Sequence, residues 1–184
     1  MRDWPIHVVP NPLNTEMFRP IDKRWCRSLL GLPQDQPLIL FGAIGGSRDP
    51  RKGFDLLSEA LRDLAGRRTW PDARCVVFGQ GEPREAPDIG FPVHWMGHLH
   101  DDLSLAILYN AVDLIVVPSR QEAFGQVASE AQACGTPVVS FSSTGLLDIV
   151  EHQITGYLAE PFEIGDLRHG IEWVLEADAR REKL

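Results

Sequence analysis

The stretch Asp113-Leu-Ile-Val-Val-Pro-Ser-Arg-Gln-Glu-Ala-Phe-Gly-Gln-Val-Ala-Ser-Glu-Ala-Gln-Ala-Cys-Gly-Thr-Pro137 decides how this chain folds. It opens on a short apolar, β-branched run that reads as a buried strand. From Gln126 to Cys134 it is helix-forming, and Gly135 closes that helix as a C-terminal cap. Between the two lies a loop carrying Glu122 and Gly125, while Glu130 falls within the helix. A strand, a loop and a helix in this order place a helix N-terminus at the carboxyl edge of a parallel sheet, where amide donors and the helix dipole favour a phosphate. On one continuous helix, Glu122 and Glu130 would stand ~80° apart around the axis and ~12 Å apart along it, which excludes a paired-carboxylate acid/base dyad. With Glu122 in the loop and Glu130 one turn into the helix, both can face a ligand lying across the loop. Each carboxylate can accept hydrogen bonds from vicinal hydroxyls. Taken alone, the two are equally well a solvated loop charge and an exposed helix residue.

Outward from this stretch, short strands and helices alternate. On the N-terminal side, Arg24 to Leu30 reads as a helix stopped by Gly31 and Pro33, and Pro37–Phe41 as a first strand. Helix Phe54–Arg67, strand 73–79, a Pro- and Glu-rich loop at 82–91, strand Val93–Met96 and helix Leu103–Ala111 follow, the last capped by Asp101 or Asp102. On the C-terminal side come strand Pro137–Phe141, a short helix near Leu146–Val150, a turn and strand ending at Leu158, and an amphipathic helix from Ile164 to Ala177. Such alternation predicts an α/β fold, a parallel sheet with helices on both faces. No internal repeat or low-complexity segment interrupts it.

The loop from Gly42 to Gly53 is the second chemically loaded stretch: glycine-rich, and ending in cations at a helix entrance. It lacks the GxGxxG spacing of a dinucleotide fold and the Lys-Ser/Thr ending of a P-loop, so neither is supported. Lys52, with Arg48 and Arg51 close by, could neutralise a diphosphate, or the loop could simply be solvated and basic. His98 and His100 lack a third ligand type nearby and read as solvated loop residues, not a metal pair.

Composition bounds the function. At 184 residues the chain fits one domain, burying roughly 70% of its unfolded surface. Hydrophobic content of 43% and charged content of 24% suit a soluble globular protein, and a net charge of −8 argues against nucleic acid as a partner. No apolar run is long enough to span a bilayer, and three cysteines, odd in number and widely spaced, point to reduced thiols and a cytoplasmic setting.

The Glu122 to Glu130 pair, with Pro-Ser before it and Gly-Thr-Pro-Val-Val after it, resembles the donor-site signature of group 1 retaining glycosyltransferases of the GT-B architecture. The likeness continues in order along nearly the whole chain, and it implies a Rossmann-like domain that binds a nucleoside diphosphate sugar. Residues 1–22, rich in Pro and Asn, then correspond to a hinge from a missing N-terminal, acceptor-binding domain, and residues 23–184 to the donor-binding domain. The resemblance assigns Lys52 and one of Arg48 or Arg51 to the diphosphate, and Gly97 and His98 to the neighbourhood of the base. It assigns Ala123, Phe124, Gly125 and Gln126 to the turn that meets the donor, and Glu130 to the ribose. Glu122 becomes the catalytic carboxylate, contacting the sugar hydroxyls and orienting the anomeric carbon. It implies no metal and no other cofactor, a full-length enzyme peripheral to a membrane at most, and a fragment that binds donor weakly and transfers no sugar alone. A noncatalytic nucleotide-binding or interaction module is the alternative. A phosphoacceptor domain of the response-regulator kind is disfavoured, since Asp113 precedes its strand instead of ending it.

Overall fold

A computed structural model of the chain describes residues 11–42 and 49–181. Arg48, one of the two candidate diphosphate arginines, lies outside the described residues, as do residues 1–10 of the expected hinge. The elements run α1 (Lys23–Leu30), β1 (Leu38–Gly42), α2 (Phe54–Arg67), β2 (Arg74–Phe78), β3 (Val93–Trp95), α3 (Asp102–Ala111), β4 (Leu114–Val117), α4 (Gln126–Ala133), β5 (Val138–Phe141), β6 (Gly156–Ala159) and α5 (Ile164–Arg181). Single 3-10 turns at Pro50–Lys52 and Thr144–Asp148 complete them. Among the described residues the strands form one six-stranded sheet in the order β3-β2-β1-β4-β5-β6, every neighbouring pair parallel. This is the α/β, Rossmann-like class that the alternation of elements implies.

Alternate residues of the central strands feed opposite faces, as the period of two requires. Leu38, Leu40, Ile115 and Val117 face one layer with Leu108, Tyr109, Ala128 and Cys26, which come from α3, α4 and α1. Ile39, Phe41, Leu114 and Val116 face the other, against Leu57, Leu61 and Leu64 of α2 and Leu167 and Ile171 of α5. Each such side chain, fully withdrawn from water, contributes about 1.5–3 kcal/mol. The β-branched run at Leu114–Val117 is therefore buried on both sides, which is why it shows no polar alternation.

One detail differs from the sequence reading. Phe18 lies in the Pro-rich stretch expected to be linker, yet it is buried at 3% exposure, its ring 6.2 Å from that of Tyr109. Asn110 holds the stretch down, donating from Nδ2 to the Arg19 carbonyl and accepting from the Ile21 amide at 2.7 Å. A lone aromatic in a segment without periodicity gives no sequence signal of burial. Asp113, the first residue of the decisive stretch, stands outside β4. Its carboxylate accepts the Leu38 amide at 2.6 Å and pairs with Arg27 and Lys23 at 2.8 Å each, tying α1 to the amino-terminal edge of the sheet.

The order of strands positions the site. Successive crossovers run outward from β1 to β2 and β3, whereas β4, β5 and β6 extend the other way. The chain reverses direction between β1 and β4, and at this switch point a crevice opens at the carboxyl ends of the two strands.

Candidate functional site

The crevice has a volume of about 390 Å³ and is lined by the ends of β1 (Phe41, Gly42) and β4 (Val116, Val117), by Asp49, Arg51 and Lys52 of the first loop, and by Pro118, Ser119 and Glu122 of the second. Gly125, Gln126 and Val127 close it from the start of α4.

Gly125 is the N-cap of α4 at φ 88°, a left-handed conformation that glycine adopts without penalty. Having no side chain, it makes no capping hydrogen bond, so the first-turn amides of α4 are not engaged by a side-chain cap and the positive end of the helix dipole faces the crevice. The apolar turn after β5 presses on this position: a Cβ at Gly125 would meet Leu146 at 2.8 Å and Ile149 at 3.1 Å. The same turn pins the loop, the Gly145 amide donating to the Glu122 carbonyl at 3.1 Å.

Lys52 and Glu122, seventy residues apart, meet in the crevice: Nζ lies 2.7 Å from Oε2. The Ser119 hydroxyl donates to the same oxygen at 3.2 Å. The pair is part-exposed, at 28% and 17% of the side chains, so both groups remain reachable by a ligand. Arg51 lies at the rim, 68% exposed, with its guanidinium on Asp49. That contact holds the Asp49 carboxyl down at about 2. Ala123 is exposed and Phe124 half-buried on the loop, their backbone packed on Gly145.

Glu130 is placed differently. It lies one turn into α4, 6% exposed, and does not line the crevice. The Tyr109 hydroxyl donates to its Oε2 at 2.9 Å. Burial raises its carboxyl above the ordinary 4.5, partly offset by hydrogen bonds from Tyr109 and Gln126. The folded chain thus holds a proton at Glu130 to higher pH than the unfolded chain does, and the stability contributed by this group falls as pH rises from about 4.5 through the raised value. Glu130→Gln has nothing to titrate, so the urea midpoint of the wild type is expected to fall more steeply over that window than the variant's.

Gly97 and His98 follow β3 at the same edge of the sheet, two strands from the crevice. The Gly79 amide donates to the Gly97 carbonyl at 2.8 Å, and His98 is exposed, its ring 6.1 Å from that of His100. Among the described residues no three His, Cys, Asp or Glu side chains are grouped to hold a metal ion. Burial pushes the Cys75 and Cys134 thiols up to about 12, which makes them poor nucleophiles.

Several site residues carry no signal in the sequence. No motif or spacing assigns a role to Tyr109, Arg120 or Asp55. Yet Arg120 and Asp55 form a bidentate pair at 2.7 and 2.8 Å across the two loops.

A doubly covered parallel sheet, with a lysine and an uncapped helix start at its switch point, is a Rossmann-like domain of the kind found in GT-B glycosyltransferases. The chain belongs to the family described as glycosyl transferases group 1, whose sequence profile matches residues 27–184. It is 37% identical over 177 residues to D-inositol 3-phosphate glycosyltransferase of Mycobacterium tuberculosis, a match covering 92% of this chain and 36% of that protein. Among solved structures it is similar to sucrose-phosphate synthase from Thermosynechococcus elongatus, with a TM-score of 0.74 and 31% identity over 91% of this chain and 42% of that one. It is also similar to Anabaena HepE, solved in complex with UDP and glucose, with a TM-score of 0.69 and 25% identity over 90% of this chain and 46% of that one. The chain thus spans 36%, 42% and 46% of the lengths of these three proteins. Among the described residues no helix is long and apolar enough to cross a membrane.

Proposed function

We propose that this chain is the donor-binding part of a retaining, hexosyl-type glycosyltransferase and that the crevice takes a nucleoside diphosphate sugar. The observation that carries the reading is the convergence of Lys52, Glu122 and the uncapped start of α4 on one crevice. A diphosphate there would be met by the Lys52 ammonium and by first-turn amides of α4, with Arg51 at the rim. As the bond to the anomeric carbon breaks, negative charge grows on the leaving phosphate, and these fixed donors stabilise that charge more than they stabilise the bound donor. Glu122, beside Lys52 and the Ser119 hydroxyl, is placed to accept hydrogen bonds from the sugar hydroxyls and orient the anomeric carbon. Glu130, one turn into α4 and held through one oxygen by Tyr109, is the residue proposed to take the ribose hydroxyls. Gly97 and His98 flank the base. The nucleotide and sugar bound in the HepE structure support the choice of ligand.

The acceptor, on this reading, binds to a second domain that precedes this one, with residues 11–22 as part of the connection, and the chain alone transfers no sugar. The span of 36% of the inositol-phosphate enzyme supports that division. Calorimetric titration of the chain with uridine, guanosine and adenosine diphosphates tests the reading. One of the three is expected to bind with a dissociation constant below about 1 mM; no binding by any of them at millimolar concentration favours a noncatalytic interaction module on the same fold.

A further inference from the structure

We propose that Arg120 is a positioning residue, a clamp that sets the spacing of the two loops and so brings Lys52 and Glu122 together. What the crevice binds rests on the function proposed above; the clamp itself rests on geometry. Arg120 makes four hydrogen bonds to the segment 50–55. Its guanidinium donates to both Asp55 oxygens at 2.7 and 2.8 Å and to the Pro50 carbonyl at 2.8 Å, and its amide donates to the Arg51 carbonyl at 2.7 Å. Lys52 lies within the clamped segment, and Glu122 follows Arg120 by two residues. Arg120 does not itself line the crevice.

The planar fork of a guanidinium can engage a carboxylate bidentately and a carbonyl at once, which a single ammonium cannot. Its side chain is 35% exposed and that of Asp55 63%, so the pair adds little to global stability. Its effect falls on geometry, because a catalytic or binding constellation loses affinity when its parts drift by even about 1 Å. A merely structural surface pair would move neither binding nor loop protection.

The test uses the nucleoside diphosphate that binds most tightly in the titration above. Arg120→Ala is expected to weaken it about 5- to 20-fold while the melting temperature stays within about 2 °C. Asp55→Ala should give a similar loss, and Arg120→Lys little recovery. In the Lys52→Ala background the Arg120→Ala loss should shrink, because a clamp with no lysine to place has less to do. Unchanged affinity in Arg120→Ala overturns the proposal. So does full multiplication of the two losses, which would make Arg120 a ligand contact. Hydrogen exchange decides independently of any ligand: amides 119–125 should exchange faster in Arg120→Ala while those of β4 do not. If the wild type binds none of the nucleotides, the functional reading fails, and the exchange result alone upholds or overturns the clamp.

Discussion

Gly53→Ala is expected to destabilise the chain by about 3–5 kcal/mol and to abolish nucleotide binding in whatever fraction remains folded. Gly53 joins the Pro50–Lys52 turn to α2 in a left-handed conformation, φ 69° and ψ 29°. A side chain there costs about 1 kcal/mol in backbone strain. The larger part is steric: the new Cβ would stand 2.0 Å from the Pro118 carbonyl oxygen and 2.9 Å from its carbon. Backbone cannot rotate out of the way as a side chain can, so α2 and the second loop must separate. That movement carries Ser119 and Glu122 away from Lys52, which is why stability and binding fall together. Thermal unfolding should show a melting temperature lower by about 6–20 °C for a domain of this size. Gly66→Ala provides the comparison, since a Cβ there, in the last turn of α2, meets nothing within 4 Å. A Gly53→Ala variant that melts with the wild type would mean that the two loops are not packed backbone to backbone.

The close approach at Gly53 was not legible in the sequence, although Lys-Gly at a helix entrance was read as a cation site. What could be read were features carried by local chemistry. The run Leu114–Val117 is apolar and β-branched because both of its faces are covered. Gly125 and Gly135 bracket α4 because each takes a left-handed turn, φ 88° and 83°. Those signals sufficed for the sheet, for the helix mouth and for Glu122 at its rim. Contacts made across long stretches of chain left no such mark. Arg120 meets Asp55 from sixty-five residues away, and Tyr109 reaches Glu130 from twenty-one. Neither pairing follows from spacing or periodicity. The second glutamate shows the consequence: its position on α4 was read correctly, but its burial against a tyrosine depends on how α3 packs beside α4. Phe18 is the same case in reverse, an apolar residue whose ring meets that of Tyr109, ninety-one residues downstream.

Lys52→Ala carries the second large effect, this time on affinity alone. Lys52 is the described cation that reaches inside the crevice, while Arg51 is turned to Asp49 at the rim. On the proposed function, removing the ammonium removes a charge-assisted hydrogen bond to the diphosphate, about 1.5–3 kcal/mol. It also leaves Glu122 without the cation 2.7 Å from its carboxylate, so an anionic ligand would meet an uncompensated negative charge. Both effects act in the same direction. The fold should be little disturbed, because the pair is part-exposed and the loop remains held by Gly145 and by Arg120.

The direct measurement is a calorimetric titration of wild-type and Lys52→Ala chains with the same nucleoside diphosphate at equal ionic strength, with their melting temperatures recorded alongside. A crevice that grips the diphosphate through Lys52 gives the variant a dissociation constant about 10- to 100-fold larger at a matching melting temperature. Equal dissociation constants for the two chains would place the nucleotide elsewhere on the molecule and contradict the site.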